Sequence, residues 1–210
     1  MRATWYFDVI SPYAYLHFRQ FDRLPAGLTI EYVPVLFAGL LKAHGHKGPA
    51  EIVEKRRQTY RMCVWQARES GIAMRFPPAH PFNPLHVLRL IVAAGATQAA
   101  VAAAFEVIWE SGLDPNSPPV FAALAARMGI ADPDAAIADP RVKQGLADNT
   151  ARALARGVYG VPTFDCNGEL FWGSDTLSLM RAFVADPRLF DEGEFARVDR
   201  LPMAATRRDA

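Results

Sequence analysis

Three short segments of this 210-residue chain carry residue types suited to chemistry. The first is Ser11-Pro12, a hydroxyl at the start of a predicted helix. Serine there accepts from an orphan backbone N–H, and proline, which has no N–H, is favoured at the next position. On its own the pair reads as a cap. The second is Gly160-Val161-Pro162-Thr163, which read alone is an ordinary turn before a strand. The third is Trp172-Gly173-Ser174-Asp175, a strand end running into a helix. Free N–H groups and the Ser174 hydroxyl suit a carboxylate, and Asp175 could accept from an ammonium, although the same residues also read as a capping box without a ligand. Sulfur and metal chemistry have little to work with. Cys63 and Cys166 lie in no C-x-x-C or C-x-x-H spacing and read as reduced thiols, with Cys63 a core residue on the apolar side of its helix. His17, His80 and His86 have no acid or ligand partner at useful spacing and read as surface or structural, so no metal site is expected.

The elements that must position these segments follow from periodicity and punctuation. Ala3 to Val9 is aromatic, β-branched and short, hence a buried strand. A helix is expected from Pro12 to Leu24, stopped by Pro25-Ala26-Gly27, then a second strand from Thr29 to Val35, parallel to the first by the handedness of such crossovers. From Ala38 to Gly157 the pattern turns helical, without a strand. Its best helix runs Glu51 to Ser70, where Ile52, Val53, Tyr60, Cys63, Val64 and Ala67 form an apolar side facing away from Arg57, Arg61 and Arg68. A proline-broken loop from Phe76 to Pro84 follows, then helices over 85–94, 97–111, 120–128, 133–138 and 141–156. Strands return at 161–166 and 169–172, joined by Asn167-Gly168, whose tolerance of positive φ suits a tight hairpin. A final helix over 175–185 precedes a loosely patterned tail from about Asp186. The order βαβ, helical insert, ββα divides the chain into a discontinuous sheet domain, 1–37 and 158–210, around a helical insertion, 38–157.

Bulk composition narrows the partners. With 51% hydrophobic residues the chain can bury a core without staples. Lys+Arg 23 against Asp+Glu 22 leaves a net charge of +1, and no charge run suggests a nucleic-acid or membrane-surface patch. Asp8 and Pro12 interrupt any export signal, and Leu90 to Phe105 falls short of the roughly 20 residues a membrane span needs. A soluble cytoplasmic protein is expected.

Three motifs taken in order give more: Phe7-Asp8-Val9-Ile10-Ser11-Pro12-Tyr13-Ala14-Tyr15-Leu16, Gly157-Val158-Tyr159-Gly160-Val161-Pro162-Thr163-Phe164 and Phe171-Trp172-Gly173-Ser174-Asp175. Together they resemble the thioredoxin-like proteins that carry a helical insertion, the disulfide-oxidoreductase A family and the kappa-class glutathione transferases, and within that group the 2-hydroxychromene-2-carboxylate isomerases. The resemblance implies an α/β, thioredoxin-like fold with a large all-helical insertion. Where redox relatives carry Cys-x-x-Cys this chain has Ser11-Pro12-Tyr13-Ala14, so disulfide exchange through that position is excluded.

What the resemblance implies instead is a glutathione site. Ser11 would donate to the glutathione thiolate. Lowering a thiol from about 8.5 by roughly two units requires about 2.7 kcal/mol, within reach of a charge-assisted bond plus a helix end. Val161, before a cis Pro162, would pair with the cysteinyl backbone, and Trp172, Gly173, Ser174 and Asp175 would hold the γ-glutamyl end. The implied second substrate is an aromatic carboxylate, with Lys42 on its carboxylate and Phe82 and Asn83 beside it. Around Ala50-Glu51 the chain departs from the family's polar residues. The implied activity is glutathione-dependent isomerisation between 2-hydroxychromene-2-carboxylate-like and trans-o-hydroxybenzylidenepyruvate-like compounds, in a homodimer. A kappa-class transferase or peroxidase and a non-catalytic ligand-binding relative remain open alternatives.

Overall fold

A computed structural model describes residues 1–205. The sheet has four strands, β1 (Arg2–Phe7), β2 (Thr29–Pro34), β3 (Thr163–Cys166) and β4 (Glu169–Trp172), in the order β2-β1-β3-β4. β1 runs parallel to β2, with Arg2 opposite Thr29 and Phe7 opposite Pro34, and antiparallel to β3, with Ala3 opposite Cys166 and Tyr6 opposite Thr163. The β3–β4 hairpin turns at Asn167 and Gly168, both at positive φ (51° and 92°), as the dipeptide requires. Helix α1 (Pro12–Phe18) links the parallel pair. Between the sheet's two halves come α2 (Phe37–Ala43), α3 (Val53–Glu69), α4 (Leu85–Ala93), α5 (Gln98–Phe105), α6 (Pro118–Arg127), α7 (Pro133–Ala138) and α8 (Pro140–Ala155), and after β4 come α9 (Leu177–Ala185) and α10 (Gly193–Val198). The fold is thioredoxin-like with a helical insertion.

Alternation along the strands sends side chains to two buried faces. Trp5, Phe7, Phe164 and Phe171 join one cluster with Tyr15 and Leu16 of α1, Phe105 of α5, and Met180 and Phe183 of α9. Tyr6 points the other way, to Val33, Val35, Leu40 of α2 and Ala153 of α8. Trp5 is completely buried, its ring 4.6 Å from Phe7 and 4.9 Å from Phe21. The insertion therefore shares the core of the sheet.

The β1–α1 turn is held from several directions. Asp8 is fully buried, its Oδ1 accepting from the Ile10 N–H at 3.0 Å and its Oδ2 from the Phe37 N–H at 2.9 Å. Its backbone carbonyl accepts from the Ser11 N–H at 3.1 Å. The Val9 carbonyl accepts from Trp109 Nε1 at 2.8 Å. Trp109 sits in a single π-helical turn, Glu106–Glu110, which follows α5 directly and continues the predicted helix in a wider coil.

Several expectations are corrected. The helix expected to reach Leu24 stops at Phe18, and a tight 3-10 turn, Phe21–Arg23, brings Phe21 as well as Phe18 to the Trp5 ring. The sequence turns helical from Ala38 without marking a separate helix there, and α2 forms over 37–43 without a side-chain cap. Tertiary bonds hold its start, from Asp8 to the Phe37 N–H and from Thr150 Oγ1 to the Leu36 N–H at 3.0 Å. Of the expected apolar side of α3, Cys63 and Ala67 are buried, whereas Ile52, Val53 and Val64 are exposed, because the helix lies at the outside and meets its neighbours along a narrow strip. The last sheet-domain helix begins at Leu177 instead of Asp175, since Thr176 closes a turn onto the Gly173 carbonyl at 2.9 Å. Within the tail, α10 forms where Phe195 packs on Phe190, 5.3 Å between centroids. The final part of the expected 158–210 segment, residues 206–210, lies outside the described residues.

Two measurements test this packing. Burial pushes the Asp8 carboxyl up to about 7, outweighing its two N–H donors. A raised acid favours the protonated fold, so its contribution is fully present below the unfolded value of about 3.9. It is lost as pH rises through about 7, at up to about 1.4 kcal/mol per pH unit. Denaturation at pH 5 and pH 8 is expected to show wild type losing several kcal/mol more than Asp8→Asn. Parallel losses would contradict the assignment. Trp5→Ala is expected to cost about 3–5 kcal/mol in the same assay, against a negligible change if the ring cluster contributes little.

Candidate functional site

Ser11 lies at the N-cap of α1 with φ −85° and ψ 114°, and only 7% of its surface is exposed. Its Oγ accepts from the Ala14 N–H at 3.2 Å, so the cap forms, and it faces the Val161 carbonyl oxygen at 3.5 Å. With an oxygen lone pair used by Ala14, the group left to act is the hydroxyl hydrogen. The 3.5 Å separation is at the edge of a useful bond, which leaves that hydrogen free to swing to a better acceptor. The Val161–Pro162 peptide is cis. Among the described residues the Val161 N–H has no hydrogen-bond partner.

The 172–175 segment is tied to this turn. The Gly173 N–H donates to the Pro162 carbonyl at 2.9 Å, and the Trp172 ring lies 5.1 Å from Tyr159. Trp172 also closes over Gly160, where an added Cβ would sit 2.5 Å from the indole nitrogen. Gly173 has φ +99° and a Cβ there would meet Asp175 Oδ1 at 2.5 Å, so both backbone and space call for glycine. Asp175 is exposed, and Ser174 is partly so. Tyr13, in the first turn of α1, lies between Asp175 and Cys63. Burial and both neighbours push its hydroxyl well above the usual phenol range. The structure thus brings Ser11, Val161, Pro162 and Trp172 to Asp175 into one neighbourhood.

Neither of the chain's two thiols is activated. Cys63 is buried and pushed up to about 12 by desolvation, so it stays protonated near neutral pH; Cys166 is also a buried free thiol.

The residues expected on the substrate side are less closely gathered. Phe82 stands beside His80 and Trp109, with centroids 5.9 and 6.4 Å away, and so flanks the β1–α1 turn. Asn83 is exposed and uses Oδ1 to accept from the Leu85 N–H at 3.0 Å. Lys42 is exposed in the last turn of α2 and makes no hydrogen bond or ion pair among the described residues. A wide surface groove at the outer edge of β2, lined by residues including Tyr32, Thr97, Asn149 and Arg152, contains none of these positions.

Residues that the sequence reading passed over also meet at the turn. His80 Nε2 lies 2.8 Å from the Ile10 carbonyl oxygen, and its Nδ1 2.6 Å from the Tyr60 hydroxyl. Asp8 had a signal, an acid ending an otherwise apolar strand. His80 had none, since its loop has no periodicity and its partners are distant in sequence. Thr150 of α8 lies outside this cluster and uses its Oγ1 to accept from the Leu36 N–H.

Comparison with known proteins agrees with this geometry. The model of the DSBA-like thioredoxin domain family matches residues 4–185. A 2-hydroxychromene-2-carboxylate isomerase of Sphingobium xenophagum is 29% identical over 191 residues, covering 87% of this chain and 97% of that protein. Glutathione S-transferase kappa 1 of Caenorhabditis elegans is 24% identical over 222 residues, covering 95% and 98%. Among solved structures, a 2-hydroxychromene-2-carboxylate isomerase superposes with a TM-score of 0.78 at 25% identity, over 88% of this chain and 95% of the other. With the family's pattern matched over most of its length, this chain belongs to the DSBA-like thioredoxin domain family.

Proposed function

We propose that the protein is a glutathione-dependent isomerase acting on 2-hydroxychromene-2-carboxylate-like substrates. The observation that carries the reading is the buried Ser11 hydroxyl facing the Val161 carbonyl, at a helix start that holds no cysteine. A thiolate handled there has to arrive with a small molecule. The isomerase and kappa-transferase relatives, matched over most of their length, support glutathione as that molecule.

In this reading Ser11 donates to the glutathione sulfur while the Ala14 N–H holds its oxygen in place. The unpaired Val161 N–H and its carbonyl meet the cysteinyl backbone as a strand would. Trp172, Gly173, Ser174 and Asp175 take the γ-glutamyl end, with Asp175 accepting from its ammonium. The hemiketal ring of the substrate opens first, its ring C–O bond breaking while the C2 hydroxyl proton passes to the phenol oxygen, and this leaves a conjugated ketone. The thiolate then adds to the conjugated carbon, forming a C–S bond and moving the π electrons onto that carbonyl. The former double bond is now single and rotates. Return of those electrons expels the sulfur, so glutathione is regenerated and the substrate leaves with its ring open and its double bond trans. The aromatic carboxylate is bound from the insertion side, 38–157, with Phe82 and Asn83 beside the ring and Lys42 on the carboxylate. A homodimer in the cytoplasm is part of the same proposal.

A kappa-class transferase uses the same glutathione half, and the kappa relative favours keeping it as the second reading. Incubation with glutathione and a chromene carboxylate separates the two. A spectral shift at constant thiol concentration is expected. Thiol consumption by chlorodinitrobenzene with no isomer formed would favour the transferase.

Ser11→Ala is expected to lower kcat by about 10²-fold, the usual loss when one donor to a developing or resident anion is removed. Glutathione affinity, measured by calorimetry, is expected to stay within a few-fold of wild type. Unchanged kcat would reduce Ser11 to a cap. Gly160→Ala, which pushes on the Trp172 ring, is expected to weaken glutathione binding by about tenfold, with the thiol pKa of the bound molecule unaltered. Unchanged affinity would remove Trp172 from the site.

A further inference from the structure

We propose that His80 is a positioning residue of the thiolate site, aiming the Ser11 hydroxyl by fixing the Ile10–Ser11 peptide plane through the Ile10 carbonyl. This rests on the glutathione reading for its functional consequence and on geometry alone for its structural part.

A peptide unit is rigid, so holding its C=O and its N–H fixes the plane and the Cα that follows. The Ile10–Ser11 unit is held at both ends. Its carbonyl lies 2.8 Å from His80 Nε2, and its N–H donates to the Asp8 carbonyl at 3.1 Å. The only freedom left to Ser11 upstream of its side chain is removed by the Ala14 N–H on Oγ at 3.2 Å. Lose the His80 bond and the carbonyl half of the plane has no other protein partner among the described residues.

The chemistry of the pair defines the imidazole. A carbonyl oxygen can only accept, so Nε2 carries the hydrogen; in the neutral ring Nδ1 is then the acceptor. The Tyr60 hydroxyl, 2.6 Å from Nδ1, donates to it and so selects the tautomer that can hold Ile10. The His80 carbonyl, 2.8 Å from the same hydroxyl, competes for its single hydrogen, so the Tyr60 hydroxyl keeps the loop close to α3 whichever acceptor it serves. The rings of Phe76, Phe82 and Trp109 stand 5.4 to 5.9 Å from the imidazole and close the remaining sides. Tyr60 is the titratable group that meets the ring. Trp109 also holds the preceding carbonyl, that of Val9. Two residues of the helical insertion therefore grip successive carbonyls just ahead of Ser11.

Two amides separate this role from bulk packing. In His80→Gln the amide nitrogen falls near Nε2 and can still donate to Ile10; in His80→Asn the shorter amide reaches Tyr60 but not Ile10. The measurement is the pKa of glutathione's thiol in the complex, followed by thiolate absorbance against pH, together with calorimetric affinity. His80→Asn is expected to raise that pKa by about one unit, a tenfold smaller thiolate fraction, and His80→Gln to return it to within twofold of the wild-type fraction. Affinity should change less than the thiolate fraction in both. If Asn and Gln variants behave alike, or neither moves the thiol, the positioning role is overturned.

Crystal structures of the ligand-free Asn and Gln variants give an independent test. A displaced Ile10–Ser11 plane, with Ser11 Oγ moved away from the Val161 oxygen in the Asn variant only, supports the inference. An unmoved plane overturns it. Should wild type bind no glutathione by calorimetry, the glutathione reading falls, while these structures still decide what His80 holds.

Discussion

The constraint on which the site depends is the need to satisfy the backbone of Asp8 to Ser11, buried except at the half-buried Ile10, where β1 gives way to α1. A strand end and a helix start both leave polar groups without regular partners, and in a dry interior each unpaired group costs about 1–3 kcal/mol. Here each of the most buried ones is met from a different direction. Asp8 uses its own carboxylate on the Ile10 N–H and its own carbonyl on the Ser11 N–H, Trp109 takes the Val9 carbonyl, and His80 takes the Ile10 carbonyl. The partners come from the turn itself, the π-helical turn and the proline-rich loop. The turn cannot be built without the insertion.

That dependence explains why the insertion shares the sheet's core. Trp5 and Phe7 of β1 pack within 6.1 and 5.9 Å of Phe105, and Trp109 follows Phe105 by four residues, with the wider π turn between them. Aromatic burial thereby sets where the Trp109 indole nitrogen falls. On the opposite face Asp8 holds the start of α2 through Phe37, and Thr150 of α8 holds the residue before it. One buried acid thus bridges the β1–α1 turn and the first helix of the insertion, and its raised affinity for a proton is the cost of placing it there.

The part of the candidate site built from 160–162 and 172–175 follows a different logic, in which sterics matter more than charge. Gly160 leaves room for the Trp172 indole, Gly173 takes a φ that other residues resist, and the Gly173 N–H to Pro162 carbonyl bond fixes the spacing between the two segments. The resulting cradle is mostly backbone, with Ser11 as its buried hydroxyl. Such a cradle suits a peptide ligand whose own main chain can complete the pairing. The side chains of Lys42, Phe82 and Asn83 are more open than Ser11.

What the amino-acid sequence determined by itself was local. Ser11-Pro12 specifies a capped helix start, Asn167-Gly168 a tight hairpin, and the alternation of Ala3 to Phe7 a strand buried on both faces, because caps, turns and strand periodicity depend on neighbours a few positions apart. The order of the three motifs carried the fold, with a serine at the start of α1. Only the tertiary structure decided what surrounds that group. His80 and Tyr60, dispersed across α3 and a loop without periodicity, acquire their partners through contacts spanning 20 and 70 positions. Helix α2 forms because Asp8 and Thr150 reach its start, and the apolar residues of α3 divide between core and solvent according to what packs on them. Ser11 was legible as a hydroxyl at a helix end. That it is buried, and which groups fix the plane in front of it, depended on long-range satisfaction of backbone polarity, which no local pattern encodes.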